Sequence, residues 1–322
     1  MSDAAHSRCI ACDATAGSVV LLGASPWSDG LVLLRCSRCS HVYLDGWATE
    51  FIGDLYAYYS VRIGKSREHV YDPLNTKRQR ELLDWLGTRT SGRRLLDVGC
   101  GEGQLVCTAS EAGWDALGID LAKGAITIAQ SFGVRCLEED FFAPSLDGER
   151  FDVITMTELI EHVPSPGRFL RRAGDLLNPG GLLYITTPNF ASLARRIMGG
   201  AWHPIHPEHL SYFTPDVLCD LGAREAGLEV MFAETRNFDP RAGLHFLKTA
   251  VSKIAPPSRA SVTSSHGSGA AQPAGVTGDV PLNQRVRGLL ERSAPLRATK
   301  RAVNAGLSAM SAGDTMFLTF RR

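Results

Sequence analysis

Three acids and three glycines carry the first chemical signal. In "RLLDVGCGEG" an apolar run ends in Asp97, and Gly99, Gly101 and Gly103 follow at alternate positions. A turn without side chains lets backbone N–H groups approach a ligand at the start of the next helix. Gln104 and Leu105 stand where a P-loop needs Lys-Ser or Lys-Thr, so that reading fails. The third glycine also comes one place early for the dinucleotide fingerprint. Two more acids follow, Asp120 in "GID" and Asp140 in "EEDFF". Asp120 can accept both hydroxyls of a ribose. Asp140 can accept from an adenine amino group while Phe141 covers the ring. Acids at the ends of three successive strands face one crevice. The pattern fits an adenosine ligand without a pyrophosphate, with a dinucleotide fold as the alternative.

A second group stands in "TELIEHV". Glu158, Glu161 and His162 are three and four residues apart, which places them on one face of a helix. His162, with an unperturbed pKa of ~6.5, can take a proton from an acceptor hydroxyl, and the glutamates can orient it. The same trio can hold Mg²⁺. The structural alternative is a charged helix start beside a core histidine. "WHPIHPEHLSYF" adds His203, His206 and His209, read either as placing His209 or His206 toward an acceptor or as plain packing with helix capping at "FTPD". Pro204 and Pro207 prevent a helix from presenting all three, which weakens a metal reading there.

Cys9-x2-Cys12 and Cys36-x2-Cys39 form two knuckles separated by 23 residues. Four thiolates close a zinc tetrahedron and leave no open position, so the site is structural. Residues 1–50 hold only Arg8, Arg35 and Arg38 against five acids, which argues against nucleic-acid binding by this ribbon.

These groups need elements to position them. From residue 93 onward strand and helix patterns alternate: "RLLDVG", "DALGID", "VRCLEED", "FDVITM", "GLLYITTPN" and "LEVMFAETR" read as strands with helices between. That spacing means parallel strands joined by crossover helices, an open doubly wound α/β sheet. The last residues, "TMFLTFRR", are too apolar for a loose tail and return to the sheet. The division is a zinc ribbon over 1–46, a helical cap over 47–92, a core over 93–238, a helical insertion over 239–314 and a closing strand over 315–322. Within the insertion, 255–281 is Ser/Ala/Gly/Pro-rich and reads as disordered. Pro295 interrupts the helical pattern of 282–312. The basic run Arg285, Arg287, Arg292, Arg297, Lys300 and Arg301 supports an alternative function in which RNA is read. Basic and acidic residues balance at 34 each, so net charge recruits neither nucleic acid nor an anionic membrane. No run approaches the ~20 apolar residues of a membrane span, and no signal region opens the chain, so a cytoplasmic location is expected.

The ordered motifs "LLDVGCGEG", "GID", "EEDFF" and "LLNPGGLLYITTPN" resemble those of class I S-adenosylmethionine-dependent methyltransferases. The resemblance covers residues 93–190 and implies a seven-stranded, mostly parallel sheet with its last strand antiparallel. It implies that Asp97 and the glycines face the methionine end of the cofactor, that Asp120 with Leu121 meets the ribose, and that Asp140 with Phe141 meets the adenine. Thr157 joins the cofactor set. "MTELIEHVPSP" resembles a segment of the ubiquinone-biosynthesis O-methyltransferases. "DPLNTKRQ" resembles another, whose arginine meets the cofactor carboxylate; Arg78 is the matching position. The implied reaction is methyl transfer to an oxygen, or a carbon, of a phenolic, sugar or natural-product acceptor. His162, Glu158, Glu161 and His209 are the candidates for its acid–base work.

Overall fold

The computed structural model describes residues 8–12, 14, 18–21, 31–45, 62–239, 242 and 294–322. The stretch expected to be disordered, 255–281, lies outside the described residues, as do residues 47–61 of the expected helical cap and Arg285, Arg287 and Arg292.

A short front sheet begins with β1 (Ser18–Leu21), β2 (Val32–Arg35) and β3 (Val42–Leu44). Two helices follow, α1 (Arg67–Val70) and α2 (Pro73–Gly87). Asp72 caps α2 by accepting from the Leu74 N–H, and Pro73 sits where its missing N–H costs nothing. The alternating core then runs β4 (Arg94–Val98), α3 (Gln104–Glu111), β5 (Asp115–Asp120), α4 (Lys123–Ser131), β6 (Cys136–Glu138), β7 (Phe151–Thr157), α5 (Pro166–Leu176) and β8 (Leu177–Pro188). After α6 (Leu193–Met198) and β9 (Ser211–Tyr212) come α7 (Pro215–Ala226), β10 (Glu229–Arg236), α8 (Ala294–Ala309) and β11 (Thr315–Arg321).

The large sheet has the order β10-β11-β8-β7-β4-β5-β6. β11 is antiparallel to both β8 and β10, and the other pairings are parallel. This is the expected seven-stranded arrangement. Both faces are covered, so the central strands are apolar at consecutive positions. Leu96, Ile154 and Leu183 pack with Leu170 of α5 and Leu218 of α7. Leu95, Val153 and Leu182 pack on the other face with Leu83 and Leu86 of α2 and Ile126 of α4. Residues 282–293, before Pro295, lie outside the described residues. Among the described residues, Pro295 lies in the first turn of α8, where a missing N–H is tolerated.

The front sheet has the order β1-β2-β3-β9, so its fourth strand comes from the connection that follows β8. Cys9, Cys36 and Tyr43 share one apolar cluster with Ile160, Val163, Phe213 and Leu218. The ribbon is packed into the main core.

Candidate active site

β4 ends at the glycine turn. Gly99, Gly101 and Gly103 have φ of +72°, +53° and +76°, a region that side chains disfavour. A Cβ on Gly99 would also stand 2.9 Å from Leu159 Cδ1. Gly103 is the N-cap of α3, so the turn leads directly into the first turn of that helix. The Gly101 N–H donates to Asp120 Oδ2 at 2.9 Å and the Ala122 N–H to Oδ1 at 2.7 Å, which fixes the carboxylate at the end of β5. Leu121 beside it leaves an apolar side chain open to solvent.

A cleft of about 970 Å³ opens between α2, this turn and the sheet. Arg78, Asp97, Gly99, Gly101, Thr157 and Glu158 line it. Asp97 is buried, and Thr155 Oγ1 donates to its Oδ1 at 2.6 Å across the β4–β7 register. Burial pushes the Asp97 carboxyl up to about 7, against the opposing effect of that hydrogen bond. Thr155 was not singled out from the sequence; a threonine inside the apolar run "FDVITM" was the available signal.

Asp140 is exposed and accepts from the Phe142 N–H at 2.7 Å. Phe141 does not lie open as a cover for an adenine. Its ring is 4% exposed and packs between Phe142 and Phe169 at 5.7 and 5.5 Å, because apolar burial against α5 is available on that side.

The segment after β7 also departs from expectation. Glu158, Glu161 and His162 share no helical face, because 158–165 is a turn and α5 starts only at Pro166. Pro164 and Pro166 remove N–H donors and disfavour helical geometry in the residues before them. Glu158 takes φ of +51°, and its N–H is held by the Thr186 carbonyl at 2.9 Å. Glu158 therefore turns into the cleft, and the residues that converge are Glu161, His162 and His209, whose ligand atoms lie within 4.8 Å of one another.

Glu161 is buried. Thr187 Oγ1 donates to its Oε2 at 2.9 Å, while Oε1 has no hydrogen-bond partner among the described residues. Burial, then the Glu158 charge, pushes its carboxyl well above the usual range. His162 Nδ1 lies 2.9 Å from the Glu208 carbonyl, so Nδ1 carries the hydrogen and Nε2 keeps its lone pair. Nε2 is 3.9 Å from Glu161 Oε1. Burial pulls the His162 pKa below its ordinary value. His209 packs edge-on against His162 at 4.6 Å, and burial pulls it down to about 3. His206 stands 6.4 Å from His209. The arrangement offers a neutral imidazole able to accept a proton; Glu158 lines the cleft, whereas Glu161, His162 and His209 do not.

The four front cysteines converge as the spacing requires. Their sulfurs lie within 4.8 Å of one another, with Cys9–Cys39 and Cys12–Cys36 at 3.6 Å. Zn–S bonds of ~2.3 Å place sulfurs about 3.8 Å apart in a tetrahedron, so the cluster is compatible with zinc.

A family model described as a methyltransferase domain matches residues 67–231. A ubiquinone biosynthesis O-methyltransferase from Azorhizobium caulinodans is 39% identical over 166 residues, 47% of this chain and 65% of its own length. One from Bordetella avium is 31% identical over 193 residues, 56% of this chain and 78% of its own. The chain thus spans just under two thirds of the first relative's length. A methyltransferase of known structure from Archaeoglobus fulgidus aligns with a TM-score of 0.47 and 16% identity, covering 83% of this chain and 99% of that one. No helix among the described residues is long and apolar enough to cross a membrane. With its strand order, glycine turn and family match in agreement, the chain belongs to the class I S-adenosylmethionine-dependent methyltransferases.

Proposed function

We propose that the protein transfers the methyl group of S-adenosylmethionine to an oxygen of a small-molecule acceptor, with His162 as the general base. The observation that carries this reading is the His162 ring: locked at Nδ1 on the Glu208 carbonyl, lowered in pKa by burial, and carried on the turn that leaves the cleft wall. The O-methyltransferase names of the relatives support it. Carbon methylation of the same class of acceptor is the alternative. Incubation with methyl-labelled cofactor and a small-molecule extract tests the reading; label found only in macromolecules overturns it.

S-adenosylmethionine supplies an electrophilic methyl on a sulfonium. The residues present fit it. The glycine-rich turn borders the cleft, Asp97 and Glu158 line it and offer carboxylates to the cationic end of the cofactor, and Asp120 at the end of β5 keeps lone pairs free for ribose hydroxyls. Arg78 lines the same cleft and suits the carboxylate. Asp140 suits the adenine amino group. His162 Nε2 receives the acceptor proton and holds it as imidazolium.

Asp120→Ala should weaken cofactor binding by about 1.5–3 kcal/mol, the loss of a charged hydrogen bond, read by calorimetric titration. Equal affinities would remove the ribose role. Asp97 gives a pH signature. Burial pushes its carboxyl up to about 7, and a bound amino group favours the ionised form. Cofactor affinity should therefore fall as pH is lowered from about 7 to 5, with proton release on binding, and Asp97→Asn should abolish that slope. A flat wild-type profile would show that Asp97 does not face the cation.

The four thiolates hold one structural Zn²⁺, which supplies a cross-link between the two knuckles. Purified protein should contain one zinc per chain by elemental analysis, and Cys36→Ser should release it. A metal-free wild type with its ribbon folded would refute this.

A second reading of the acid–base cluster has one observation in its favour. Glu161 Oε1 is buried with no hydrogen-bond partner among the described residues, beside His162 and His209, a two-histidine, one-carboxylate set suited to a divalent cation. In that reading chelator abolishes turnover, and a divalent metal restores it.

A further inference from the structure

We infer that the cysteine ribbon is a positioning element of the methyltransferase site: its third strand sets the turn that carries Glu161 and His162. This rests on the zinc reading for the ribbon's rigidity and on the acceptor-side role proposed for that turn.

The route is short and continuous. The second knuckle closes on itself: the Cys36 N–H donates to the His41 carbonyl at 2.9 Å, and the Ser40 N–H donates to the Cys36 carbonyl at 3.0 Å. The Arg38 N–H points at Cys36 Sγ at 3.4 Å, as expected around a thiolate ligand. β3 begins immediately after His41. It pairs antiparallel with β9, Val42 opposite Tyr212 and Tyr43 opposite Ser211. The Leu44 N–H adds a bond to the Leu210 carbonyl at 3.0 Å. The Leu210 and Ser211 N–H groups both donate to the Glu161 carbonyl, at 2.8 and 3.0 Å. One residue earlier in that connection, His209 packs against His162, and Glu208 holds the His162 ring. The ribbon thus reaches the base through two layers of backbone hydrogen bonds.

A side-chain bolt reinforces the pairing. His41 is fully buried, its Nε2 lies 3.2 Å from Ser211 Oγ, and its ring packs tilted against Phe213 with centroids 4.7 Å apart. Two residues of β9 cannot form a stable strand unaided, since isolated strand pairs are marginal even when longer. What orders β9 is the edge that β3 presents, and β3 is held by the knuckle before it and by its pairing with β2 on the other side. The glycine turn has no part in this route. It is held by the Ile119 carbonyl and by Asp120.

The test uses the full-length protein with zinc bound and after stripping by a high-affinity chelator, followed by amide hydrogen exchange and calorimetry with S-adenosylhomocysteine. Exchange at Leu44, Leu210 and Ser211 should accelerate ~10-fold or more on stripping, with amides inside β4 and β5 and the nucleoside affinity unchanged. The His162 ring ¹⁵N pattern, identified by its loss in His162→Gln, should shift from one fixed tautomer to an exchange average. Protection retained at Leu210 and Ser211 overturns the inference. So does a loss that spreads equally to β4 and β5, because the ribbon is then only a general stabiliser. Ser211→Ala supplies a second arm that leaves every cysteine in place. Zinc content should stay unchanged while the His162 ring pattern shifts; an unaltered pattern overturns the route through His41. Protein that purifies without metal refutes the zinc reading by itself, and the Ser211→Ala arm still decides the strand coupling.

Discussion

Deletion of residues 315–322 is expected to leave no soluble, folded protein. β11 is an interior strand that pairs over its whole length with β8 on one side and with β10 on the other. Met316, Leu318 and Phe320 are each buried to within 1% of complete enclosure. Burying such a side chain contributes ~1.5–3 kcal/mol, so the three together contribute about 5–9 kcal/mol. That is comparable to the whole ~5–15 kcal/mol that holds a domain folded. The deletion also detaches β10 and bares the edge of β8, an aggregation template. α7 loses its seat as well, since it approaches Phe320 so closely that a Cβ on Gly222 would stand 2.5 Å from the ring. Met310→Ala, at a 64% exposed position just before the strand, is the control and should change stability by no more than ~0.5 kcal/mol. Soluble yield and urea unfolding read both variants. A truncated chain that unfolds like the full one would remove β11 from the sheet.

His162→Gln is expected to lower turnover by roughly 10²-fold or more with cofactor affinity unchanged. Glutamine keeps much of the volume and can still bond the Glu208 carbonyl, but it has no basic nitrogen. The pH dependence follows from the direction of the shift. Burial lowers the His162 pKa, so the neutral, proton-accepting form predominates at pH 7. The wild-type rate should be flat above the ordinary histidine value of ~6.5 and fall as pH drops through the lowered one. The variant should lose that step. The same shift bears on stability, which His162 supports above ~6.5 and ceases to support as pH falls through its folded-state pKa. A purely structural histidine gives a different result: a lower melting temperature, with residual activity tracking the folded fraction. A metal site gives a third, with chelator sensitivity and equal damage from Glu161→Gln. An unchanged rate and pH profile would move the base to His209, whose ring stands against His162.

Much of the fold was legible from local pattern alone. β4, β5, β7 and β8 are apolar runs buried on both faces, and each ends at a glycine, proline or acid that marks its limit. Asp97, Asp120 and the three glycines were equally legible, because a strand–turn–helix junction constrains residue type within a few positions. The cysteine pairs declared themselves by spacing, since a knuckle is a local structure. What needed three dimensions was every relation between distant segments. Helical periodicity placed Glu158, Glu161 and His162 together, yet two prolines hold the segment in a turn, which sends Glu158 to the cleft and Glu161 into the core. Phe141 followed the nearest apolar surface, a preference that depends on where α5 lies. Thr155, Thr187 and Glu208 became visible only as partners of Asp97, Glu161 and His162, across 58, 26 and 46 residues of chain. β9 is two residues long and has no strand signature of its own; it exists because β3 offers it an edge. Sequence pattern records what neighbours along the chain require of one another. Side-chain direction, burial and hydrogen-bond partners are decided by surfaces that meet only after the sheet has closed.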